Sequence, residues 1–111
     1  MSRAATTGRA GKSLALALTW DGARWPAARL PAPARTFLRR AAPAPAADRV
    51  ARLLAEGKIR ELVICWVPRL KGGEPTLADV FTTSDGRRVA FQAVRTVRIG
   101  DILGVRYRRL K

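Results

Sequence analysis

Histidine is absent from this 111-residue chain, and cysteine occurs once, at Cys65. The first absence removes histidine-based catalytic triads, zinc deaminase chemistry and every His-containing metal motif. The second excludes an intrachain disulfide and a cysteine metal cluster. Acidic side chains are scarce: 8 Asp plus Glu stand against 22 Lys plus Arg, a formal net charge of +14. Aromatic residues make up only 6% of the chain, which singles out Trp20, Trp25 and Trp66. No apolar run approaches the ~18–20 residues of a membrane span. Arg3, Arg9 and Lys12 precede a short apolar stretch at 14–18, as in a signal peptide, but Trp20-Asp21-Gly22 interrupts it. The expectation is a cytoplasmic protein that makes no use of a membrane.

The chain is long enough for one domain with one modest core. Its charge, mostly arginine, raises affinity for any polyanion, nucleic acid included. High-GC coding would enrich Arg, Ala, Gly and Pro in the same way, so composition leaves both readings open.

Residues 1–12 carry no periodic apolar pattern and are expected to form a disordered basic tail. Gly8-Arg9-Ala10-Gly11-Lys12-Ser13 resembles part of a phosphate loop, but the first glycine of that pattern falls on Thr6 and no strand precedes it. Residues 13–40 are expected to hold an N-terminal strand and an irregular segment. Leu14, Leu16 and Leu18 alternate with Ala15 and Ala17, so both faces are apolar and an interior strand fits. Trp20-Asp21-Gly22 reads as a turn. Pro31 and Pro33 predict an extended start to the next segment, with 36–40 closing as a helical turn or a short strand. Residues 41–47, Ala-Ala-Pro-Ala-Pro-Ala-Ala, predict a linker and a structural boundary.

Residues 48–111 form the expected core unit. Asp48 is a candidate N-cap, Val50, Leu53 and Leu54 mark an apolar helix face, and Gly57 suits the left-handed position past the helix end. Every residue from 62 to 67 is apolar, which predicts a strand buried on both faces with Cys65 as an inert thiol. Pro68 ends that strand. A flexible bend at 71–76 and a turn at Ser84-Asp85-Gly86-Arg87 follow. Val89 to Arg109 alternates as an antiparallel hairpin about a tight turn at Ile99-Gly100-Asp101-Ile102. Arg95, Arg98, Arg106 and Arg108 are its candidate solvent-facing, nucleic-acid-contacting residues.

The order of these pieces resembles the C-terminal reductase domain of the bacterial bifunctional deaminase–reductase of riboflavin synthesis, a family with a dihydrofolate-reductase-like fold. The likeness runs through Leu53-Leu54-Ala55-Glu56-Gly57-Lys58-Ile59-Arg60-Glu61-Leu62, then Val67-Pro68-Arg69-Leu70-Lys71-Gly72-Gly73 and Pro75-Thr76-Leu77. It closes on Val97-Arg98-Ile99-Gly100-Asp101-Ile102-Leu103-Gly104-Val105-Arg106-Tyr107-Arg108. Thr19-Trp20-Asp21-Gly22 is similar to the family's first turn. The resemblance implies an α/β fold: a shortened dihydrofolate-reductase-like sheet with one main helix and a C-terminal β-hairpin.

It also implies NADPH as a cofactor. The family places a Gly-Gly pair before its late helix, where an absent Cβ lets backbone approach phosphate. Pro45-Ala46 stands there in this chain, just before Asp48, and Gly72-Gly73 follows a strand instead of opening a helix. These five residues are the candidate cofactor contacts. Asp21 is the candidate to orient a substrate, and reads equally as a turn-forming residue. The family's domain is considerably longer, so three functions are expected from different classes. One is a reductase-like domain without full activity that acts through homodimerisation or a partner, with Trp20, Trp25 and Trp66 as interface area. Another is an NADPH-dependent reductase of a pyrimidine- or pterin-like substrate with a site shared between subunits. The last is a basic nucleic-acid-binding protein.

Overall fold

A computed structural model describes residues 12–20, 23–69 and 89–110. Asp21, Gly72, Gly73, the bend at 71–76 and the turn at 84–87 lie outside these residues, as does the expected tail apart from Lys12, which opens a strand.

Eight elements follow one another: β1 (Lys12–Thr19), a 3-10 turn (Ala27–Arg29), α1 (Ala32–Leu38), β2 (Ala42–Pro43), α2 (Ala47–Ala55), β3 (Ile59–Val67), β4 (Phe91–Ile99) and β5 (Ile102–Arg109). The strands make one mixed sheet in the order β2-β1-β3-β5-β4. β1 pairs parallel with β2 and with β3, while β5 pairs antiparallel with β3 and β4. The fold class is therefore α/β, with helices on both faces of the sheet.

Two apolar layers hold it together. Leu14, Leu16 and Leu18 of β1 join Leu62, Ile64 and Trp66 of β3 under Val50, Leu53 and Leu54 of α2. On the other face Ala15, Ala17, Val63, Cys65 and Val67 pack under Ala34, Phe37 and Leu38 of α1. Both central strands are apolar on both sides because both of their sides are covered.

Three local expectations change. The segment that two prolines were expected to extend is helical: Pro31 is the N-cap of α1 and Pro33 lies in its first turn. Amides there have no intrahelical partner, so proline loses nothing and its fixed φ suits the helix. The expected single main helix thus has a counterpart on the opposite face. Residues 42 and 43, expected in a linker, pair with Leu14 and Ala15 as edge strand β2, and Ala44 N–H donates to Ala15 O at 2.9 Å. An edge strand tolerates Pro43 because one side of its backbone needs no ladder partner. Asp48 does not cap α2. Ala46 is the N-cap, without a side-chain hydrogen bond, and Asp48 sits in the first turn, where its charge still favours the helix dipole.

Other expectations stand. Gly57 has φ 69°, and Lys58 N–H donates to Leu53 O at 3.0 Å while Gly57 N–H donates to Leu54 O at 3.1 Å. That pair of bonds is a Schellman end to α2. Ile99 pairs with Ile102 across a two-residue turn at Gly100, whose φ is 62°.

Candidate functional site at the ends of the parallel strands

The chain leaves β1 toward β2 on one side and returns through α2 to β3 on the other. β1 and β3 are therefore neighbouring parallel strands whose connections diverge, and in open α/β sheets ligands bind in the crevice beyond the carboxyl ends of such a pair. Here those ends are Thr19 and Val67, which lie opposite each other in register. Trp20 N–H donates to Arg69 O at 2.9 Å and ties the two ends together.

The residues that follow β1 fold back along it. Trp25 N–H donates to Ala17 O at 2.9 Å and Thr19 N–H donates to Ala23 O at 2.8 Å. The buried Thr19 hydroxyl accepts from Ala23 N–H at 3.0 Å. This return fixes Trp25 at the mouth of the crevice. The 3-10 turn brings Arg29 over it, and Pro68 turns the end of β3 so that Arg69 also reaches it. The guanidinium carbons of Arg29 and Arg69 lie 4.8 and 5.4 Å from the Trp25 ring centroid, close enough for both to draw on the ring's electron density. Asp101, in the β4–β5 turn, completes the rim. These side chains line a cleft of about 420 Å³, within the ordinary range for small-ligand sites. Two cations and one carboxylate line it, so the cleft favours an anion.

A second depression of about 350 Å³ lies between α1 and the β1–β2 edge, lined by Ala15, Leu38, Ala41 and Pro43 with Arg35 and Arg39 at its rim. Arg35 Nη1 already donates to Leu30 O at 2.6 Å, and the floor offers no side chain for chemistry.

The candidate cofactor contacts Pro45, Ala46 and Asp48 lie at the start of α2, where Pro45 is engaged by a different partner. Arg24 donates from Nη1 to Pro45 O at 2.9 Å and from Nη2 to Ala44 O at 3.1 Å. Partial burial pulls the Arg24 guanidinium below its usual range. The Asp48 carboxylate in the first helical turn repels a phosphate brought to the same place.

The tryptophans differ in surroundings. Trp20 is 45% exposed, Trp66 is 4% exposed, and Trp25 is half-buried beneath its two arginines. Trp66 faces the core and donates from Nε1 to Tyr107 Oη at 3.0 Å, so it adds no area to an interface. Burial raises the Tyr107 pKa and this bond partly offsets the rise. Cys65 is likewise buried, and desolvation pushes its thiol from 9.0 to about 11, as expected of an inert side chain.

The register separates the candidate arginines. Arg95 stands opposite Arg106, and Arg108 opposite both Gln92 and Glu61, all on the α1 side of the sheet. Arg98 stands opposite Leu103, on the α2 side. Arg69 and Asp101 were not picked out by sequence reasoning, and Arg24 and Arg29 stood out only as arginines near Trp20 and Trp25. Trp25 and Arg29 are four residues apart, a weak signal for stacking, but nothing local announces that Arg69 joins them. Among the described residues no cluster of three metal-ligating side chains occurs, and no helix is long and apolar enough to cross a membrane. No protein-family model matches the chain, and no curated protein sequence matches it.

Proposed function

We propose that this chain is a reductase-like domain that works by binding and not by hydride transfer, and that it takes a small anionic ligand, phosphate- or carboxylate-bearing, in the cleft at the ends of β1 and β3. The observation that carries this reading is the pair of guanidinium groups over Trp25 at the divergence point of two parallel strands. The two indole-bound arginines are held in place before a ligand arrives, which lowers the ordering cost of binding. The helix–strand–hairpin order from α2 to β5 supports the reductase-like part of the reading. The absence of hydride transfer is supported by the start of α2, where Arg24 occupies the carbonyls of Ala44 and Pro45 and Asp48 adds a like charge to that of a cofactor phosphate.

Tryptophan fluorescence tests this. Titration with inorganic phosphate, a mononucleotide and NADPH should give a saturable change with the first two. Trp25→Phe should remove most of the signal, and Arg69→Gln should weaken binding about tenfold, as expected for one hydrogen bond to a charged group. Saturable NADPH binding that survives Arg69→Gln, with transfer of its hydride to a pterin or pyrimidine, would falsify the proposal.

Homodimerisation belongs to the same proposal. β4 is the longest strand with an open side among the described residues, and open edges invite pairing. A register shift between Ala93 and Arg95 interrupts it, and Arg95 and Arg98 add charge. Both features oppose pairing while that charge is unscreened.

A further inference from the structure

The α1 side of the sheet carries an arrangement that the cleft does not explain. Arg95 and Arg106 are cross-strand partners, and like charges placed directly opposite each other destabilise a strand pair. Arg106 Nε is buried and donates to nothing. A buried charged-group donor left unmade is costly. Arg108 lies one step further along the same face. Its acidic neighbour among the described residues, Glu61, is 3.5 Å away and also accepts from the Ser13 hydroxyl at 3.2 Å. Arg40 extends the basic area, its guanidinium carbon 5.8 Å from the Phe37 ring centroid.

Among the described residues, coverage of this face is incomplete. α1 has seven residues and reaches the sheet through Ala34, Phe37 and Leu38, over Cys65 and Gly104. Val63 still packs under it, but the last row, Glu61-Arg108-Gln92, is not part of that layer, and Arg95 and Arg108 are exposed. A second copy of the chain does not suit this surface, because it brings another +14. An acidic occupant with regularly spaced charges does.

We propose that the Arg95–Arg106–Arg108 face docks the phosphate backbone of a nucleic-acid duplex without reading its sequence. The charges are presented on two adjacent strands, so they follow a line of phosphates. Phe37, the aromatic over Gly104 on this face, is 7% exposed and offers no stacking platform, which favours a paired duplex over unpaired bases. One phosphate bridging the guanidinium groups of Arg95 and Arg106 converts their repulsion into shared attraction. This surface is separate from the Trp25 cleft and does not depend on it.

Fluorescence anisotropy of a short labelled DNA duplex against the full chain, across a salt series, tests the assignment. Affinity should fall with salt, with a log–log slope of about one per phosphate neutralised. Arg95→Gln with Arg108→Gln should lower that slope by about two and weaken binding at least tenfold. Arg49→Gln with Arg52→Gln removes the same charge from α2 on the other face and should change the slope far less. Arg106→Met removes the orphan donor at similar volume, so it should raise the melting temperature while weakening duplex binding, a split that a purely structural role does not produce. Trp25→Phe should leave duplex binding unchanged. An equal loss from both double variants would reduce the effect to net charge and overturn the proposal. Tighter binding of the single strand than of the duplex, or no binding at about 50 mM salt, would also overturn it.

Discussion

Gly104 of β5 lies against the ring of Phe37 of α1, so closely that a Cβ at position 104 would stand 2.9 Å from Cε2 and 3.0 Å from Cδ2. That contact sets how deeply α1 can sit on the sheet. Phe37 is buried in the layer that also holds Ala34, Cys65 and Ile102, so its ring has little room to withdraw.

Gly104→Ala is therefore expected to cost about 1–3 kcal/mol, the usual penalty for overpacking. Phe37→Ala, which opens a cavity, should cost about 3–5 kcal/mol. Phe37→Leu placed in the Gly104→Ala background should recover part of the first loss. Denaturant midpoints of the single and double variants measure the coupling, and strict additivity would show that the two side chains do not meet.

Gly57 and Gly100 both hold positive φ, 69° and 62°. A Cβ at Gly100 meets nothing within 4 Å, and at Gly57 the nearest atom is Arg109 Nη1 at 4.0 Å. The cost of alanine at either site is thus backbone strain alone, about 1–2 kcal/mol. Asparagine, which visits this region more readily, should cost less than alanine at both. Thermal melts of the four variants check the order. A larger loss with Asn than with Ala at either position would contradict it.

The Cys65 thiol gives stability a defined response to pH. Burial favours its neutral form, raising the folded pKa from 9.0 to about 11. The contribution is complete below the unfolded pKa and is lost as pH rises toward the folded one, so stability should begin to fall above about pH 9. Tyr107, also raised by burial, acts in the same direction at higher pH. Cys65→Ala should flatten the lower part of this fall. Alkylation of the native protein near neutral pH should be slow and should accelerate on unfolding. Rapid alkylation of the folded chain would show that the thiol is accessible.

Sedimentation velocity should show monomer at low salt and a growing dimer fraction as salt screens Arg95 and Arg98 on β4. Arg95→Thr with Arg98→Thr should bring the dimer to lower salt. Salt-independent monomer for both proteins would exclude pairing through this edge.

Much of the central architecture was legible in the sequence. Leu14 to Leu18 and Leu62 to Val67 are apolar on both faces, and both became interior strands because both of their faces are covered. Gly57 and the Gly100-Asp101 pair announced their turns through backbone chemistry that few other residues satisfy. The peripheral pieces were harder to read. Alanine and proline fit a linker, a helix start or an edge strand equally well, so Pro31, Pro33 and residues 42–43 took their structure from tertiary context. Arg29 and Arg69 are forty residues apart and meet only because β1 and β3 run parallel and side by side. No local spacing encodes that meeting, nor Arg24 reaching the carbonyls of Ala44 and Pro45. Arg98 was grouped with Arg95, Arg106 and Arg108, but it lies three residues beyond Arg95 and so falls on the opposite face.

The sheet order also has a consequence for how the chain is made. β1 emerges before every other described strand, yet it is an interior strand whose longer partner, β3, begins at Ile59. Until that segment has left the ribosome, an eight-residue strand containing three leucines has no full-length ladder to join. The hairpin of β4 and β5, with its two-residue turn, can close at once when it appears, because local contacts form faster than distant ones. Pairing of β1 thus waits for β3, and the nascent N-terminal half is the stage most exposed to misassociation. Lys12 at the head of β1 is placed to act as a charged guard against it.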